Sequence, residues 1–140
     1  MQTARNVDGI KNIHVNSGVR MDLANRSPEY IKELAAHHVS GQLSVAPEHA
    51  NAKTLMLMKK PPIDGFVEFG KTFKKESQKA NKEQYLIPYF IGSHPGSDLD
   101  AMIELALFLK ENGYRPRQVQ DFIPAPMDIA ATMYYTEMDP

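Results

Sequence analysis

Short apolar runs alternate along this chain with longer runs in which apolar residues recur at helical spacing, and this alternation constrains the fold most. It continues from Ile10 onward without a linker or a change of composition. Tyr85–Ile91 is apolar at nearly every position, which is typical of a parallel strand that helices cover on both faces. We therefore predict one α/β domain, residues 1–140, built from βα units.

Four of the short runs are predicted to be strands. They are Asn12–Asn16, Gln42–Ala46, Tyr85–Ile91 and the run around Val119 and Phe122. Pro47 is expected to end the second strand, because proline has no amide hydrogen to donate to a neighbouring strand. Right-handed crossovers make all four strands parallel. Such a sheet has two unpaired edges, so we expect about half of a TIM-like (β/α) barrel.

The predicted helices lie between these strands and carry recognisable ends. Serine followed by proline or a carboxylate begins two of them, and a glycine ends each of those two. With their capping residues, the predicted helical segments are Ser27–Gly41, Asn51–Met58, Ile63–Phe73 and Ser97–Gly113.

Charge and composition exclude several classes of function. Lys+Arg number 16 and Asp+Glu 17, a net charge of -1, so we expect no general nucleic-acid binding and no binding to anionic membranes. The chain has no cysteine, which excludes disulfides, thiolate metal sites and cysteine nucleophiles of its own. No apolar run is long enough to cross a bilayer and no secretory signal is visible, so a cytoplasmic location is expected.

Polar residues follow three of the predicted strands, where parallel sheets bind their ligands. Glu48 and His49 follow the second strand, and this pair is chemically able to bind a ribose hydroxyl or an ammonium group, or to move a proton. In the alternative, His49 caps a neighbouring helix. Ser17, after the first strand, either binds a ligand or only forms a turn with Gly18. Arg20 pairs with a ligand carboxylate or with Asp22.

Six short strings, in order and with natural spacing, resemble the YgiQ-type radical S-adenosylmethionine (SAM) proteins. The resemblance runs from about Ile10 to the C-terminus. The strings are His37–Leu43, Ala46–His49, Lys82–Tyr89, Ser93–Gly96, Gln118–Phe122 and Thr132–Thr136.

This resemblance implies that the chain is the C-terminal half of a radical SAM barrel. In that family a Cys-x3-Cys-x2-Cys loop in the preceding half holds a [4Fe–4S] cluster, which reduces the SAM sulfonium and releases a 5′-deoxyadenosyl radical. Without cysteine, the chain alone is expected to be an inactive fragment that binds neither cofactor tightly. The implied partners are SAM, a substrate that the resemblance does not identify, and the missing half of the barrel. The residues implied to line the cavity for SAM and substrate are Ser17, Arg20, Glu48, His49, Ile91 and Gly92.

Three other hypotheses come from the residues themselves. A non-catalytic module would bind a small ligand or a protein at its strand ends. A metal-dependent hydrolase would use Glu48, His49 and His94, since imidazole and carboxylate groups suit zinc or iron. A homodimer would pair the exposed strand edges of two copies.

Overall fold

The computed structural model describes residues 2–116 and 118–139 as an α/β fold with a three-stranded parallel sheet. The strands are β1 (Gln42–Glu48), β2 (Tyr85–Gly92) and β3 (Gln120–Asp121), in the spatial order β1-β2-β3. The helices are α1 (Gln2–Arg5), α2 (Met21–Ala24), α3 (Pro28–Glu33), a π-helix (Leu34–His38), α4 (Ala52–Leu57), α5 (Asp64–Lys79), α6 (Leu99–Glu111) and α7 (Ile129–Thr136). Within the described residues, none of these helices has the length and apolarity needed to span a membrane.

The prediction of a first strand at Asn12–Asn16 is wrong. This segment has no regular structure, and the chain meets β1 only at an isolated parallel bridge between Val19 and Val45. Asparagine and glycine are poor strand formers and good turn formers, and residues 16–18 are Asn, Ser and Gly. The alternation of polar and apolar residues therefore does not produce a strand here.

The prediction that Pro47 ends the second strand is also wrong, because β1 continues through Pro47 to Glu48. β1 lies at an edge of the three-stranded sheet, and an edge strand tolerates a residue that lacks an amide hydrogen. The third predicted strand is confirmed as β2. The fourth is confirmed as β3, although β3 has only two residues.

The four predicted helical segments are confirmed as α3 with the π-helix, and as α4, α5 and α6. The N-cap of α6 differs from the prediction: Asp98, not Ser97, accepts the Ala101 amide at 2.9 Å. Ser97 is one residue too early, and its hydroxyl pairs with His49 instead. α7 lies in a tail for which no helix was predicted.

The chain divides into two compact units. The first comprises Met1–Val45 and Gly65–Ile87. Its core includes Leu34, Leu43 and the stacked rings of Phe69 and Phe73, whose centroids are 5.9 Å apart. Gln84 donates to the carbonyl oxygens of Ala35 and Val39, which satisfies acceptors at the π-helix.

The second unit comprises Ala46–Asp64 and Pro88–Pro140. Its core contains Ala50, Phe90 and Leu105, with side chains of α6 and Ile63 packed against them. This unit contains the carboxyl ends of all three strands, and it therefore positions the candidate site.

Candidate functional site

Polar side chains stand at the carboxyl end of each strand, all within the second unit. β1 ends at Glu48, β2 ends at Gly92 and is followed by Ser93, and β3 ends at Asp121. Parallel pairing places Gly92 opposite Asp121. Ser93 Oγ lies 3.4 Å from Asp121 Oδ1, so the second and third strand ends share a polar contact.

Two of these strand ends have an uncommon backbone conformation. Glu48 has φ 68° and Ser93 has φ 59°, both in the left-handed region that residues other than glycine rarely occupy. Each such residue costs about 1–2 kcal/mol, and strained residues of this kind cluster at ligand sites. Their occurrence after two neighbouring strands makes this edge of the sheet the candidate site.

Glu48 is compensated by a lysine within the same unit. Lys60 Nζ lies 3.0 Å from Glu48 Oε1, and the Glu48 side chain is mostly buried. Lys60 directly follows the turn that ends α4. A ligand that used the Glu48 carboxylate would therefore meet a group whose charge is already paired.

Both ring nitrogens of His49 are engaged inside the protein, and the residue is fully buried. Nδ1 accepts the Asn51 amide at 3.0 Å, and Nε2 lies 3.1 Å from Ser97 Oγ. Because an amide N–H can only donate, Nδ1 carries no proton, so Nε2–H donates to Ser97. Burial lowers the pKa of His49, Glu104 partly opposes this, and His94 adds to it. The imidazole is therefore neutral at pH 7.

The chain after β2 forms a tight turn over residues 94–97. The Ser97 amide donates to His94 O at 2.8 Å, Pro95 takes the second position, and Gly96 has φ 83°. This is the pattern of a type II turn, whose third position favours glycine. His94 Nδ1 donates to Pro95 O at 2.9 Å, and its ring meets Phe122 edge to face at 5.2 Å.

A cavity of about 510 Å³ opens beside Ser93, a volume within the range of small-molecule sites. Its apolar lining includes Leu57, Pro95 and Met133, and charged groups stand around them. The residues that line it are Lys53, Leu57, Ser93, Pro95, Gly96, Met133, Tyr134, Glu137, Met138 and Asp139.

Ile91 and Gly92 lie at the end of β2, within reach of the polar groups. A Cβ added to Gly92 would meet Asp121 Oδ1 and Met102 Cε, each at 3.6 Å. The Gly92 carbonyl accepts the Phe122 amide at 2.9 Å. The backbone of this residue is therefore tied to β3, and its Cα–H side adjoins the Asp121 carboxylate.

Ser17 and Arg20 belong to the first unit, whereas Glu48, His49, Ile91 and Gly92 belong to the second. Ser17 is exposed in a segment without regular structure. Arg20 takes the second of its two predicted partners: its guanidinium contacts both Asp22 oxygens, at 2.9 and 2.6 Å. This hydrogen bond lowers the pKa of Asp22 to about 2.

The hypothesis of a metal centre finds no support in the geometry. Among residues 2–116 and 118–139, no group of three or more His, Asp or Glu side chains is arranged to hold a metal ion. His49 has committed both ring nitrogens, and His94 has committed Nδ1 to the neighbouring carbonyl.

Sequence reasoning overlooked Asp121 and the cavity residues of α4 and α7. Asp121 could have been found, because it is the last polar residue before the apolar end of the fourth predicted strand. Lys53, Met133 and Tyr134 carry no such signal, since ordinary surface and core positions contain the same residue types.

No family model matches the chain. Curated relatives do match it: a UPF0313 protein of Vibrio cholerae is 51% identical over 139 residues, 99% of this chain and 18% of the relative. A UPF0313 protein of Geobacter sulfurreducens is 49% identical over 140 residues, all of this chain and 23% of that relative.

A third relative, a UPF0313 protein of Chromobacterium violaceum, is 51% identical over 137 residues, 98% of this chain. The chain spans about a fifth of the length of the relatives it matches. Along nearly all of its length, the chain is thus similar to a segment of the UPF0313 proteins. UPF0313 is another name for the YgiQ family.

Proposed function

We propose that this chain is the C-terminal half of the (β/α) barrel of a radical SAM enzyme. In that position it forms part of the cavity for SAM and substrate. The observation that carries the proposal is the cavity beside Ser93 at the carboxyl end of β2. Ligands of parallel α/β proteins bind at this end of the strands. The resemblance to YgiQ-type radical SAM proteins supplies the chemistry.

The exposure of β2 supports a half-barrel. β2 is the middle strand, yet Tyr85, Ile87 and Tyr89 are 56%, 37% and 51% exposed. Alternate residues of a strand share one face, so these three side chains belong to one face of β2. Further strands of a closed barrel would cover that face, because the inner face of a barrel is packed with side chains.

The residues of this chain do not fit the role of cluster ligands. Iron–sulfur clusters are held mainly by cysteine thiolates, and the chain contains no cysteine. In this proposal the cluster belongs to another part of the full-length protein, and no step is assigned to it here.

The residues at the strand ends do fit SAM. SAM combines hydroxyl and ammonium groups, which can donate hydrogen bonds to the carboxylate of Asp121, with apolar parts that Met133 and Pro95 can cover. When bound, SAM supplies the adenosyl group for hydrogen abstraction from a substrate. The side chains here bind and orient that molecule and exclude water from it.

The six residues implied by the resemblance remain part of this proposal with different roles. Ser17 and Arg20 lie in the first unit and keep only the role that the resemblance implies. The Ile91–Gly92 backbone contributes directly from the second unit, and Glu48 contributes there as part of its ion pair with Lys60. Because His49 is fully buried, we assign it a supporting role behind them.

The test is SAM affinity in a full-length protein that carries this segment, reconstituted under anaerobic conditions, with residues numbered as here. Asp121→Asn removes a carboxylate at the strand end, and we expect the dissociation constant for SAM to rise about tenfold. The matched control is Glu111→Gln at the exposed end of α6, which should leave the affinity unchanged. Asp121 adjoins the cavity through its contact with Ser93, so equal affinities in Asp121→Asn and the wild type would refute the placement of SAM at this strand end.

A further inference from the structure

The turn at residues 94–97 forms one side of the cavity, because Pro95 and Gly96 both line it. The width of the cavity therefore depends on where this turn lies. Within the second unit, two hydroxyl contacts tie the turn to residues around α4. Thr54 Oγ1 shares its one proton between Gly96 O at 3.2 Å and Asn51 Oδ1 at 3.1 Å, and Ser97 Oγ accepts from His49 Nε2.

His49 and Thr54, which hold the turn, are fully buried, whereas their partners Ser97 and Gly96 are partly exposed and exposed. A hydrogen bond shielded from water costs more to break without replacement than an exposed one, because its donor or acceptor is left unsatisfied. Loss of the Ser97 hydroxyl would leave the His49 Nε2–H without its acceptor.

His49 accepts one hydrogen bond and donates another. On one side the Asn51 amide requires an acceptor, and on the other side Ser97 Oγ takes a donated proton. A neutral imidazole protonated at Nε2 has one acceptor and one donor in these positions. Asn51 in turn caps α4, accepting the Thr54 amide at 2.9 Å, so the same network includes the second residue that holds the turn.

We propose that His49 is a positioning residue: through Ser97 it fixes the turn at 94–97 and thereby sets the shape of the cavity, without touching the bound molecule. The identity of that molecule rests on the proposed function. The positioning itself concerns only bonds within this chain.

Amide hydrogen exchange in the full chain tests the positioning. His49→Asn keeps an acceptor for the Asn51 amide but removes the donor to Ser97, and Ser97→Ala removes the acceptor. We expect the Ser97 amide, which donates to His94 O, to exchange about tenfold faster in either variant. The double variant should exchange no faster than the single ones, because both substitutions break the same bond. His37→Gln, at an exposed position in the first unit, is the control and should exchange like the wild type.

A second measurement does not depend on any variant folding. NMR of the ring nitrogens in the wild-type chain should show His49 protonated at Nε2 and bare at Nδ1 at neutral pH. The opposite tautomer, unchanged exchange in the single variants, or additive effects in the double variant would overturn the proposal.

SAM affinity separates this inference from the proposed function. In the full-length protein, His49→Asn should lower the affinity for SAM about as much as Ser97→Ala does. If the exchange results are as expected and the SAM affinity is unchanged, the positioning role stands and the assignment of this cavity to SAM fails.

Discussion

His49 Nε2 lies 3.1 Å from Ser97 Oγ, which joins the residue that follows β1 directly to the turn that follows β2. The two residues are 48 positions apart in the chain. This contact links two strand ends at the carboxyl edge of the sheet, where Glu48 and Ser93 have left-handed backbones. A partly buried polar contact therefore joins the two strand ends, in addition to apolar packing.

The buried imidazole predicts a pH dependence of stability. Burial lowers the pKa of folded His49 below its ordinary 6.5, with Glu104 opposing the shift and His94 adding to it. The neutral form is thus favoured by folding, so its contribution is complete above pH 6.5 and is lost as the pH falls from there toward the folded pKa. Urea unfolding between about pH 7.5 and 5 should show a smaller loss in His49→Asn than in the wild type. Identical losses in both proteins would contradict this.

Gly96 should be the least replaceable glycine of the second unit. It has φ 83°, and a Cβ on it would overlap Leu57 Cδ1. We expect Gly96→Ala to lower the free energy of unfolding by about 2–4 kcal/mol, combining backbone strain with overpacking. Gly113 has φ 70° but open space around it, so Gly113→Ala should cost only about 1–2 kcal/mol. Equal losses, measured by urea unfolding, would show that the contact with Leu57 has no effect.

Gly92→Ala should weaken SAM binding while leaving the free energy of unfolding almost unchanged. An added Cβ meets Asp121 Oδ1 and Met102 Cε at ordinary contact distances, so the free energy of unfolding should change by less than about 1 kcal/mol. The same methyl group adjoins the carboxylate that we assign to SAM, so the affinity for SAM should fall about tenfold. A folded variant with wild-type affinity would place SAM elsewhere.

Asp22 should titrate far below an ordinary aspartate. Its hydrogen bond with Arg20 holds its pKa at about 2, compared with 3.8. In Arg20→Gln, an NMR titration should show the Asp22 pKa returned toward 3.8.

Any stabilisation by the pair of Arg20 and Asp22 is present above pH 3.8 and lost as the pH falls toward 2. Because the pair is exposed, Tm at neutral pH should hardly change. An unshifted Asp22 in the wild type would rule out the pairing.

Strands and helices that follow from the spacing of apolar residues within one segment were predictable from the sequence. β2 follows from its apolar run, and α5 follows from the spacing of its phenylalanines, which become the core of the first unit. The extent of β1 was not predictable, because whether Pro47 is tolerated depends on which strand forms the edge of the sheet. The strand predicted at Asn12–Asn16 failed because a polar alternation forms a strand only where a neighbour pairs along its length.

The site was predictable in part. Strand-end position pointed to Glu48 and His49, since loops at that edge of a parallel sheet surround the ligand, whereas Gly92 was implied only by the resemblance. The contact of His49 with Ser97 joins residues that are 48 positions apart. Sequence spacing contains no information about such a contact.

We propose radical SAM chemistry for the full-length protein, and electron paramagnetic resonance can detect it. A full-length protein that carries this segment is reconstituted anaerobically with iron and sulfide, reduced, and measured with and without SAM, with an assay for 5′-deoxyadenosine. We predict a [4Fe–4S] signal that SAM perturbs, together with formation of 5′-deoxyadenosine. A protein with no cluster, or with a cluster that is indifferent to SAM, would contradict the claim and favour a non-catalytic binding module.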